Sequence, residues 1–123
     1  MLKKILAIFN ATTIICLLFT LQLVANDKKE FNIAVIFDGP NQINPIVLNM
    51  VKTEIDELTH AEFDISFPED KIFDGEWNLE RVHSLNSKLL ADNDVDIIIT
   101  LGVVASHDIA QRGDLPKPVI APF

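Results

Sequence analysis

The sequence is poor in the residues that most often carry covalent bracing, nucleotide binding or metal chemistry. It has one cysteine, Cys16, inside the N-terminal apolar run, so the rest of the chain has no disulfide and must be held by an ordinary hydrophobic core. Neither GxGxxG nor GxxxxGK follows either of its two apolar strands, which leaves nucleotide binding without support. The three histidines, His60, His83 and His107, fall on three different expected elements without metal-ligand spacing, which argues against a zinc site. Basic residues are scarce as well: ten Lys and Arg stand against eighteen Asp and Glu, for a net charge of −8. Two of the ten, Lys3 and Lys4, lie at the N-terminus, and without them eight face eighteen. That balance argues against nucleic acid and anionic membrane surfaces as partners. There are no internal repeats and no low-complexity tract.

The N-terminal segment stands apart. After Lys3 and Lys4, Ile5–Val24 is apolar except for Asn10, Thr12, Thr13, Thr20 and Gln22, and Ala25 supplies a small residue before a cut. This is the pattern of a secretory signal peptide over residues 1–25. The rival reading is an uncleaved anchor, since the run approaches the ~20 residues that span a bilayer. Residues 26–30 then read as a charged linker.

Beyond it, two runs are apolar at consecutive positions, Asn32–Phe37 (NIAVIF) and Val95–Thr100 (VDIIIT). Such runs belong to strands buried on both faces of a parallel sheet. Glu62–Phe67 (EFDISF) instead alternates, as a strand with one wet face does, and Pro68 ends it. It is expected at an edge. Val119–Ala121 starts a fourth strand. Between the strands lie three expected helices. One opens with Asn44 as N-cap and Pro45 at its first position, and Ile46, Val47, Met50, Val51, Ile55 and Leu58 form its apolar stripe. The second carries Leu79, Val82, Leu85, Leu89 and Leu90. The third runs from Val103 to Gln111, with Gly113 as its stop. Right-handed crossovers favour the order 2-1-3-4, an α/β, three-layer, flavodoxin-like or Rossmann-like sheet. With four strands and three helices the last strand keeps an open side, so an incomplete lobe is expected, the N-terminal part of a larger two-lobed protein or the product of a truncated frame.

Candidate chemistry concentrates at two loops. Ser106, His107 and Asp108 do not form a catalytic triad, because adjacent helical residues diverge by about 100°. Asp92, Asp94 and Asp96 begin like a calcium loop, but Ile97 stands where its Gly is required and Val103 where its closing Glu is required. Phe73 and Trp77, in the acidic loop Glu69–Trp77, either rim a pocket for an aromatic or apolar solute or fold back over the sheet edge. The loops after the first and third strands meet at the switch point of the expected sheet. There Asp38 can accept hydrogen bonds from a ligand amine. Ser106 and the amides of Val104 and Ala105 can hold a carboxylate at the helix start.

The segments IAVIFDG, NLERVHSLNSKLLADNDVDIIITLGVVAS and KPVIAP, with the exported start, resemble the N-terminal lobe of the substrate-binding proteins of ABC-type transporters of the type I periplasmic-binding fold. The resemblance spans residues 31–123. It implies a non-enzymatic, periplasmic protein that closes on a small organic solute, often amino-acid-like, and hands it to ABC transporter membrane subunits. It implies no cofactor, and no membrane span in the mature form. By position, Asp38, Gly39 and Asn41 fall on the family's first ligand loop, and Gly102, Val103, Ala105 and Ser106 on its second. The alternative is an envelope sensory or protein-interaction module with the same fold and no role in transport. N-terminal sequencing of the protein from its native envelope is expected to begin near Asn26; a start at Met1 would favour the anchored alternative.

Overall fold

The two apolar runs lie side by side at the centre of a parallel sheet, and the rest of the chain is laid against them. The computed structural model describes residues 28–123. The expected leader, with Cys16 and the cleavage position at Ala25, lies outside the described residues. In chain order the elements are β1 (Lys29–Phe37), α1 (Asn44–Thr59), β2 (Phe63–Ser66), a 3-10 turn (Glu69–Lys71), β3 (Ile72–Asp74), α2 (Leu79–Ala91), β4 (Ile97–Leu101), α3 (Val103–Ala110) and β5 (Val119–Ile120). The first strand begins at Lys29, so the last two residues of the expected linker are part of β1.

β1 pairs with β4 from Ile33↔Ile97 to Phe37↔Leu101, and β4 pairs with β5 on its other side. The order is β2-β1-β4-β5, all parallel, which is the 2-1-3-4 arrangement expected from the crossovers. One further strand, β3, lies beyond the four expected. β2 covers β1 from Lys29 to Asn32, and β3 covers it from Val35 to Phe37. The two are halves of one edge interrupted at Pro68, whose ring removes the N–H that a continuous ladder needs. The 3-10 turn re-enters the sheet three residues later.

Alternate residues of β1 serve opposite faces. Ile33, Val35 and Phe37, with Ile99, pack under Leu48, Val51 and Ile55 of α1. Ala34 and Ile36, with Ile98, pack under Val82 and Leu89 of α2 and Ala105 of α3. Each isoleucine fully buried this way contributes roughly 1.5–3 kcal/mol. α1 differs from its expected orientation. Its inward stripe is Val47, Leu48, Val51 and Ile55, whereas Ile46, Met50 and Leu58 face solvent. Asn44 is not its N-cap either: Ile43 is, without a side-chain cap, and Asn44 instead donates through Nδ2 to the Gly39 carbonyl at 2.9 Å. α2 does have a side-chain cap, Asn78, which accepts from the Arg81 amide at 3.0 Å. α3 ends at Ala110 with Gln111 as C-cap, and Gly113 does not adopt the left-handed conformation expected of a stop.

α2 and α3 are joined by a polar cluster. Asp108 accepts from His83 Nδ1 at 2.7 Å, Asn86 Nδ2 at 2.8 Å and Arg112 Nη2 at 2.8 Å. Burial pushes the Asp108 carboxyl up, but these hydrogen bonds and the Arg112 charge outweigh it and hold the group below its ordinary value. Among the described residues no helix is long and apolar enough to cross a membrane. Replacing Ile98 by alanine is expected to cost about 2–5 kcal/mol in denaturant unfolding, because it empties the centre of the sheet. Met50→Ala should stay within roughly 0.5 kcal/mol. A comparable loss at Met50 would mean that α1 presents its other face to the core.

Candidate functional site

At the carboxyl ends of β1 and β4 the chain makes a contact between residues far apart in sequence. Asp38, the residue after β1, turns its carboxylate onto the start of α3. Oδ2 accepts from the Val104 amide at 2.9 Å and Oδ1 from the Ala105 amide at 2.8 Å. The first amides of a helix have no intrahelical acceptor and carry the positive end of its dipole, so a carboxylate there is strongly favoured. Gly102 makes the approach possible. Its backbone is extended, at φ 178°, and a Cβ on it would fall 2.2 Å from Asp38 Cγ. Space, and not conformation, demands glycine at this position.

The main chain of the same loop anchors the segment after β3. The Phe37 carbonyl accepts from Gly75 N at 2.9 Å and the Asp38 carbonyl from Trp77 N at 2.8 Å. Glu76, between these anchors, and Trp77, the second of them, both take left-handed conformations, at φ 53° and 56°. Non-glycine residues rarely hold such values, and strain of this kind persists only where surrounding contacts impose it. The outcome is an indole laid on Gly39, where a Cβ would meet the ring at 2.4 Å.

Trp77, Gly39 and the two strand ends enclose a cleft of about 350 Å³. Phe37, Val47, Leu101 and Phe123 contribute to its apolar walls, and the exposed side chains of Ile43 and Val103 stand at its edge. Asp38, Asn41 and Asn44 supply the polar side chains. Asn41 and Asn44 shape the turn: Asn41 Oδ1 accepts from Ile43 N at 3.1 Å, and Asn44 N bonds the Asn41 carbonyl at 3.1 Å. A second hollow of about 340 Å³ lies across this turn, against Pro45, Leu48 and β3.

The expected site residues divide into two groups. Asp38, Gly39, Asn41, Gly102 and Val103 line the cleft together, as the meeting of the two loops requires. Ala105 and Ser106 do not line it. Both are buried residues of α3 itself, and Ser106 Oγ lies 2.9 Å from the Thr100 hydroxyl. The expectation that Ser106 and the amides of Val104 and Ala105 receive a solute's carboxylate is therefore corrected: the protein's own Asp38 occupies those amides. Ser106, His107 and Asp108 reach different partners, since Ser106 turns to Thr100, His107 to Gln111 and Asp108 to α2. Asp92 accepts from Lys71 at 2.7 Å and Asp96 from Asn32 N at 2.8 Å. Among the described residues no group of His, Cys, Asp and Glu is arranged to hold a metal ion. Phe73 folds onto the core beneath Lys88, whereas Trp77 rims the cleft.

Removing the Asp38 carboxylate (Asp38→Ala) is expected to cost about 1–3 kcal/mol, because it strips one buried and one part-buried amide of their acceptor. Gly39→Ala should displace the indole and alter the emission of the chain's one tryptophan. Wild-type stability in the first variant and a wild-type spectrum in the second would together refute this geometry. Comparison with family models, with curated proteins and with solved structures gives no match to this chain.

Proposed function

We propose that the chain is the exported solute-binding component of an ABC-type transport system, and that it takes a small, amino-acid-like organic solute in the cleft under Trp77. The supporting observation is the cleft itself: about 350 Å³, with apolar walls and Asp38 as its one charged lining residue, at the ends of two adjacent central strands. Parallel α/β sheets receive ligands at that position, where the chain reverses direction across the sheet. An amino group meets Asp38, and the apolar part of the solute lies against the indole and the aliphatic walls. The role is binding and delivery to the transporter's membrane subunits, with no reaction. Ser106, the one hydroxyl considered as a nucleophile, is buried away from the cleft.

A second reading, an envelope sensory or protein-interaction module, draws on the apolar residues around and beyond the mouth. Ile43 and Val103 are exposed at the cleft, Ile46 and Met50 are exposed on α1, and exposed apolar patches often receive protein partners. A thermal-shift screen with amino acids and related amines separates the two. The binder reading expects a rise in Tm that grows with concentration, corresponding to about 2.7 kcal/mol at a hundredfold excess over Kd. It also expects Trp77→Ala to abolish the rise. No stabilisation by any member of the screen would remove this reading in favour of the second.

A further inference from the structure

We infer that Asp38 fixes the charge of the solute, opening the cleft to amines and closing it to carboxylates. The inference rests on the solute-binding reading above and narrows it. In a cleft beside a helix start, the backbone amides are the natural receptor for a ligand's anion. Here they are taken: Val104 N and Ala105 N each donate to an oxygen of Asp38 at 2.9 and 2.8 Å. Among the described residues lining the cleft there is no Lys, Arg or His to offer an anion a second partner, and Asp38 is the one charged side chain. Arg81, which follows Trp77 closely in sequence, is held by Glu76 at 3.3 Å and by the Asp74 carbonyl at 3.1 Å. An incoming carboxylate would therefore meet a fixed negative charge in apolar surroundings, where like charges repel strongly.

A cation meets the opposite situation. Each oxygen of Asp38 accepts one amide, and a carboxylate oxygen has the capacity for a second donor; the residue is 8% exposed, and it lines the cleft. Trp77 adds an aromatic face, the best side-chain partner for an ammonium group. An amino acid fits only with its carboxylate directed away from α3, so the matching amine without a carboxylate is the better ligand.

Three probes with one ring and different charge test this on the full chain: 2-phenylethylamine, 2-phenylethanol and 3-phenylpropanoate, titrated by calorimetry and by Trp77 fluorescence. The amine is expected to bind at least tenfold more tightly than the carboxylate, with the alcohol between them, and to exceed phenylalanine. In Asp38→Asn, which removes the charge and keeps the shape, the preference for the amine should fall at least tenfold. Equal binding of amine and carboxylate by the wild-type protein would overturn the inference while leaving the solute-binding reading in place. An unchanged preference in folded D38N would overturn it too. If D38N does not fold, the order of affinities in the wild-type series is decisive by itself. Failure of all three probes and of every amino acid to bind would remove the solute-binding reading, and the role of Asp38 with it.

Discussion

The carboxylate of Asp38 reaches from the end of β1 to the first free amides of α3, and the arrangement of the loops at that end of the sheet follows from it. Two hydrogen bonds from a helix terminus to an ionic acceptor are among the stronger polar contacts a protein makes, particularly away from water. They fix the β4–α3 junction against β1, which requires Gly102 to have no side chain. The same residue's carbonyl takes Trp77 N, so the segment after β3 is held by its main chain while its two left-handed residues are kept in place. One aspartate thus positions three loops that approach the cleft from three different parts of the chain. The apolar sheet beneath is indifferent to this detail. It supplies a rigid platform, and the polar contact decides what is built on top.

That platform is legible in the sequence because burial on both faces leaves a run with no polar interruption. NIAVIF and DIII carry this pattern, and β1 and β4 lie where it indicates. The alternation of EFDISF likewise marks an edge strand, and its exposure pattern alternates in the same way. The strand order follows from that edge placement, the two apolar runs inside and right-handed crossovers between neighbouring strands. Five of the seven expected site residues line the cleft for the same reason, since loops leaving adjacent parallel strands at the same end must meet.

Other features depend on contacts that sequence order conceals. β3 is three residues long and follows a proline and a 3-10 turn, so it has too few positions to display a period; it exists because β1 still has an open edge from Val35 to Phe37. The stripe of α1 departs from its expected residues because Ile46 and Met50 are apolar yet face outward, and a helix rich in isoleucine and valine shows more than one plausible apolar face. Asn44 has the composition of a cap, but the Gly39 carbonyl offers its side chain a donor's role before the helix begins. The pairing of Asp38 with Val104 and Ala105 crosses more than sixty residues. Its one trace in the sequence is glycine at position 102, which by composition alone signals room for a ligand. The room is there, and an aspartate fills it.

This substitution of an internal anion for an external one bears on what such a cleft can bind. A solute carboxylate arriving from solution loses translational and rotational freedom on binding, a cost that a side chain tethered by the backbone has already met during folding. The tethered group is therefore present at an effective concentration far above that of any free solute, and it holds the α3 amides without competition. On the proposed binding role, affinity would then come from the remaining lining: the indole, the aliphatic walls and the side chains of Asp38, Asn41 and Asn44. Among those surfaces Asp38 is the one charged side chain, and the described lining holds no cation that would pair with an anion. The helix start that would make an α/β cleft receptive to acids has been used to organise the fold, and its positive end is neutralised before any solute arrives.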